Sequence, residues 1–156
     1  MKPRIDITRV SPKVLQAMFG LQKTVNSSGL ERNLLELVKM RASQINGCAY
    51  CLDMHSKDAR AAGETEQRLY LLDAWREAPL YSERERAALE WTEALTRIGE
   101  GHVPDAVYAS AREHFSEEEL VNLALAVVAI NGWNRFSIAF RAEAGSYQPG
   151  MYSRAA

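Results

Sequence analysis

From Leu120 to Ile130 the chain carries a single polar side chain, Asn122, and no other segment constrains the fold as strongly. Ser116 and Glu119 stand just before it in the spacing of a capping box, which marks a helix start. The run is only about half of the ~20 residues that a bilayer span needs. A helix that is apolar on nearly every side must be surrounded by other helices or by a second subunit. The expected architecture is therefore a set of amphipathic helices around this final one, which is buried by those helices alone or in part by a second subunit.

The rest of the sequence supplies those helices. Ser28 with Glu31 and Ser82 with Glu85 repeat the capping-box spacing. Pro12 and Pro104 suit first helical positions, while Gly63, Gly99 and Gly145 suit helix ends. Apolar residues recur at helical spacing through Val14, Leu15, Met18 and Val25, through Leu30, Leu34, Leu37, Val38 and Ile45, and through Ala88, Trp91, Leu95 and Ile98. No segment alternates convincingly with a period of two. The reading is all-α, one domain over 1–156, with about seven helices near 12–25, 29–45, 47–62, 65–76, 83–98, 104–114 and 117–143. Residues 146–156, which include Pro149 and Gly150, are expected to leave the core as a C-terminal arm. Ile-Asn-Gly occurs at Ile45-Asn46-Gly47 and again at Ile130-Asn131-Gly132, a weak sign of duplication.

With 19 basic and 20 acidic residues the net charge is -1, which offers no electrostatic attraction to nucleic acid or to an anionic membrane. The N-terminus has no apolar run of the signal-peptide kind, so the expected location is the cytoplasm. Both cysteines fall in Cys48-Ala49-Tyr50-Cys51, with His55 four residues further on. A long-lived structural disulfide is rare in a reducing compartment, so a cycling dithiol or a metal site remains.

On a helix the spacing of Cys48, Cys51 and His55 aligns two thiols and an imidazole on one face. Gly47 breaks the preceding helix, which puts the thiols in a first turn where free N–H groups and the helix dipole favour thiolate. His55 is one turn from Cys51 and two from Cys48, so Cys51 is the better-served nucleophile. Glu36, among Leu34, Leu35, Leu37 and Val38, is a carboxylate whose burial would raise its pKa and suit it to proton transfer. Zinc is the competing chemistry, since Cys48, Cys51 and His55 offer three ligands; His102 and His114 have no ligand-like spacing for a fourth. Covalent haem needs histidine at position 52, where Leu52 stands.

Glu36, Cys48, Tyr50, Cys51 and His55, spaced as Glu-x11-Cys-x-Tyr-Cys-x3-His, resemble the core motif of the AhpD-like alkylhydroperoxidases of the carboxymuconolactone decarboxylase superfamily. Leu89 to Thr96 and Ile130 to Arg135 extend the resemblance over about residues 30–143. It implies a thiol-dependent peroxidase in which Cys51 attacks the peroxide, Cys48 resolves the sulfenic acid as a disulfide, and His55 and Glu36 relay protons. It also implies an external dithiol reductant such as a thioredoxin-like or dihydrolipoamide protein, no cofactor, no metal, and a homo-oligomer, trimer or hexamer. One form of the motif has a second histidine where Tyr50 stands; members lacking the cysteines are lactone decarboxylases. Trp133 and Asn134 reach the site if the last helix packs beside the dithiol. The alternatives are a protein disulfide reductase or redox sensor, and a zinc-held helical scaffold.

Overall fold

The computed structural model describes residues 2–152. Among these the chain is all helical: α1 (Ile7–Val10), α2 (Pro12–Asn26), α3 (Arg32–Asn46), α4 (Ala49–Ala61), α5 (Glu66–Tyr70), a 3-10 turn at Leu72–Ala74, α6 (Glu83–Thr96), α7 (Ile98–Gly101), α8 (Asp105–His114) and α9 (Glu117–Phe140). Six of the seven expected helices are present, the one expected over 65–76 is broken into α5 and the 3-10 turn, and the single-turn α1 and α7 are additional. Both α6 and α9 begin with complete capping boxes, Ser82 with Glu85 and Ser116 with Glu119. The third expected box does not form. Glu31 is itself the N-cap of α3, and Ser28 Oγ instead accepts the N–H of Leu30 across a turn in which Gly29 has φ 82°. Nor do all the glycines end helices, because Gly99 lies inside α7.

The central helix is α3 rather than α9. Every residue of α3 from Leu34 to Ser43 is buried, and α4, α6 and α9 all pack against it. One apolar cluster joins Val25, Leu34, Val38, Ala88, Leu123 and Val127 on one side of α3; another joins Leu37, Met40, Leu69, Leu72, Trp75 and Leu89 on the other. Charged residues on α3 are tolerated there because each finds a partner. Arg41 Nε donates to Glu93 at 2.8 Å, and Glu93 also accepts from Trp75 Nε1 at 2.8 Å and Arg76 at 2.6 Å.

In contrast, α9 buries one side against α2, α3 and α6 and leaves Val121, Val128 and Ile138 exposed on the other. By length and composition it is the one helix among the described residues that could cross a membrane, a test that a helix packed into a core also passes. The two Ile-Asn-Gly segments meet across α3 and α9. Asn46 Nδ2 donates to Asn131 Oδ1 at 3.0 Å and to Asn134 Oδ1 at 2.8 Å, and Asn134 Nδ2 donates to Ser43 Oγ at 3.0 Å. A Cβ at Gly132 would sit 3.0 Å from the Met18 side chain, so this glycine lets α2 approach α9 closely.

Residues 146–152 do not leave the core as an arm. Tyr147 is buried and Tyr152 packs on Phe19. Apolar rings with a phenol to satisfy gain more from the bundle than from water. Residues 153–156 of the expected arm lie outside the described residues.

Candidate active site

Gly47 closes α3 in the left-handed conformation (φ 67°), and the N–H of Cys48 returns to the carbonyl of Ser43 at 3.0 Å. This helix-ending turn positions Cys48 as the N-cap of α4. Cys48 Sγ accepts the N–H of Cys51 at 3.4 Å, as a serine oxygen would in a conventional cap. The two cysteines form a disulfide. In that state the pair offers no thiolates to zinc, the competing chemistry. Both sulfurs belong to buried residues, but only Cys51 lines the adjoining cleft.

That cleft has a volume of about 640 Å³ and lies between α2, α3, α4, α9 and the C-terminal segment. Its chemical end holds Glu36, Lys39, Cys51, His55 and Asp58; its apolar end holds residues such as Phe19, Trp133 and Phe136. His55, one turn along α4 from Cys51, places Nδ1 2.9 Å from Glu36 Oε2. The other oxygen, Oε1, accepts from Lys39 Nζ at 2.8 Å. Glu36 is buried, yet its pKa is not raised as the sequence suggested. Burial does push it up, but the hydrogen bond and charge of His55 and those of Lys39 outweigh this and lower it to about 2. An ionised carboxylate only accepts, so the His55 Nδ1 that faces it carries a proton.

Tyr50 lines the cleft, and its phenol lies 2.9 Å from that of Tyr152. Burial, then the hydrogen bond to Tyr152, raises the Tyr50 pKa. Trp133 lines the cleft as expected. Asn134 does not; it is fully buried in the Asn46–Ser43 network, where it braces α9 against α3. Sequence reasoning missed Lys39, Asp58, Tyr147 and Tyr152. Lys39 and Asp58 each stand three residues after a candidate, Glu36 and His55, so same-face spacing would have found them. The tyrosines carry no such signal. Ligand atoms of Glu36, His55 and Asp58 lie within 4.8 Å of one another, a grouping able to hold a cation. Lys39 and the Tyr147 phenol already engage its two carboxylates.

The sequence profile of the carboxymuconolactone decarboxylase family matches residues 12–94, a segment that contains Glu36, both cysteines and His55. This chain belongs to that family. It is 46% identical over 146 residues to the Bacillus subtilis protein YdfG, itself uncharacterized, covering 94% of this chain and 99% of that one. A solved Agrobacterium tumefaciens protein of unknown function, described as a candidate antioxidant defence protein AhpD, superposes with a TM-score of 0.91 at 45% identity, covering 94% of this chain and all (100%) of that one. The debrominase Bmp8 shares the fold, with a TM-score of 0.78 at 22% identity over 86% of this chain and 73% of its own. Enzymes of different chemistry thus occur on this AhpD-like scaffold.

Proposed function

We propose that this protein is a thiol-dependent peroxidase that reduces hydrogen peroxide or organic hydroperoxides through the Cys48–Cys51 pair, in antioxidant defence. The observation that carries the reading is a disulfide at a helix N-terminus with one of its two residues, Cys51, on a cleft wall beside a His55–Glu36 pair. In the reduced enzyme His55 Nε2 takes the proton of Cys51. The thiolate attacks the distal oxygen of the hydroperoxide, the O–O bond breaks, and the departing alkoxide or hydroxide recovers a proton from His55. Cys51 is then a sulfenic acid. Cys48 displaces water from it to form the disulfide, and an external dithiol returns both sulfurs to thiols while becoming a disulfide itself.

Glu36 holds Nδ1–H of His55 and balances the imidazolium, and Lys39 keeps Glu36 ionised. Tyr50 and Trp133 shape the cleft around the sulfur. The need for a dithiol donor, thioredoxin-like or dihydrolipoamide-bearing, suits the cytoplasm. The apolar outer face of α9 supports a homo-oligomer, a trimer or hexamer in the AhpD-like manner. Steady-state assays with hydrogen peroxide, tert-butyl and cumene hydroperoxides, each with thioredoxin and dihydrolipoamide systems as donors, test the proposal. Rapid oxidation of the dithiol by a protein disulfide, with every hydroperoxide inert, would replace it by the disulfide reductase reading.

A further inference from the structure

Residues 145–152 contain no helix or strand, yet they are tied to α4 along its length. Asp53 Oδ2 accepts the N–H of Gly145 at 2.9 Å, and Lys57 Nζ donates to the carbonyl of Tyr147 at 3.0 Å. The Tyr147 phenol reaches both oxygens of Asp58, at 2.8 and 2.9 Å. At the other end of the segment the Tyr152 and Tyr50 phenols meet, and the Tyr152 ring lies 6.2 Å from that of Phe19 and 5.9 Å from that of Tyr147. Tyr147 is only 4% exposed, whereas Tyr152 is 38% exposed and stands between cleft and solvent. Both line the cleft that Cys51 opens into.

We propose that residues 145–152 form a strap that closes the cleft over Cys51 and selects substrates by width, admitting slim apolar hydroperoxides and excluding polycyclic or heavily branched ones. The proposal rests on Cys51 being the reactive thiol. Tyr50 sits between the two cysteines in sequence, so its contact with Tyr152 brings the strap to the rim of the sulfur site itself. The Asp58 anchor fixes the strap one turn past His55. A hydroperoxide entering from solvent passes beneath a wall made of this chain's own tail, and the width of that passage is set by side chains rather than by the helices.

The test is alkylation of the reduced full-length protein by iodoacetamide and by N-(1-pyrenyl)maleimide, each rate divided by that reagent's rate with free glutathione. Modification at Cys51 is read by peptide mass spectrometry. In the wild-type protein the normalised rate is expected to favour iodoacetamide by about tenfold or more, falling to within about twofold in a Tyr147→Ala, Tyr152→Ala double variant. Tyr147→Phe keeps the ring and drops the Asp58 bonds, and should lie between. Circular dichroism reports whether the double variant folds; Tyr152→Ala alone keeps the Asp58 anchor and serves if it does not. An unchanged ratio across the variants, or a wild-type ratio near unity, would overturn the strap. A Cys51 inert to iodoacetamide would remove the thiol reading and the strap together. A protein inert to every peroxide but with the expected alkylation ratios would sink the peroxidase reading alone.

Discussion

Glu36→Gln isolates the energy held in the buried Lys39–Glu36–His55 contact. The carboxyl is lowered from an ordinary 4.5 to about 2. Through linkage, a depression of that size stabilises the native state by about 3 kcal/mol at neutral pH. Because the folded pKa is the lower one, this contribution is complete above the unfolded value and is lost as pH falls toward the folded one. The variant has no carboxylate to titrate and leaves the Lys39 ammonium buried against a neutral amide. It should therefore be about 3 kcal/mol less stable than wild type at neutral pH, at the low end of the cost of breaking a buried ion pair. The gap should narrow in acid, to less than about half by pH 3, as Glu36 begins to take up the proton that gives it the same charge as an amide. Urea unfolding at several values between about pH 7 and pH 3 measures both curves. Two curves that fall in parallel, with a constant gap, would refute the assignment of Glu36 as a buried anion.

Three further outcomes follow from the geometry. Cys48→Ser should react with one equivalent of hydroperoxide and stop at a Cys51 sulfenic acid that dimedone traps, whereas Cys51→Ser should consume none; equal steady-state turnover by both would contradict the division of roles. Asn46→Ala leaves Asn134 short of a donor in a fully buried site, at a cost of about 2 kcal/mol and roughly 6 °C in Tm by calorimetry. Gly47→Ala must adopt φ 67° with a side chain, and although no atom lies within 4 Å of the added Cβ, it should cost about 1 kcal/mol in urea unfolding.

The local chemistry was legible because it depends on short spacings. Cys48, Cys51 and His55 lie on one helix, and Gly47 announces the turn that puts the sulfurs at its start. The capping boxes at Ser82 and Ser116 were equally local and formed as read. Ser28 failed because Gly29 turns the chain before a helix can begin at that serine. The choice of central helix was hidden for a different reason. Glu36, Lys39 and Arg41 make α3 look like a helix with a solvated face, and only partners distant in sequence, such as His55 and Glu93, allow those charges to be buried. The apolar α9 looked more central than it is, because sequence hydropathy does not reveal which side meets other helices. The same limit misjudged Glu36: its apolar neighbours were visible, but the Lys39 and His55 contacts that hold it ionised were not.

The cleft is assembled from two stretches of chain with separate histories open to them. Glu36, Lys39, Cys48, Cys51 and His55 all fall inside the segment matched by the family profile, residues 12–94. Trp133, Phe136, Tyr147 and Tyr152, which complete the walls begun by Phe19 and Tyr50, come from beyond it. A mutation that reshapes the chamber need not touch a group that moves a proton or an electron, and one that retunes the sulfur need not alter what fits. A scaffold divided in this way can exchange one bound molecule for another while keeping the groups around its sulfur.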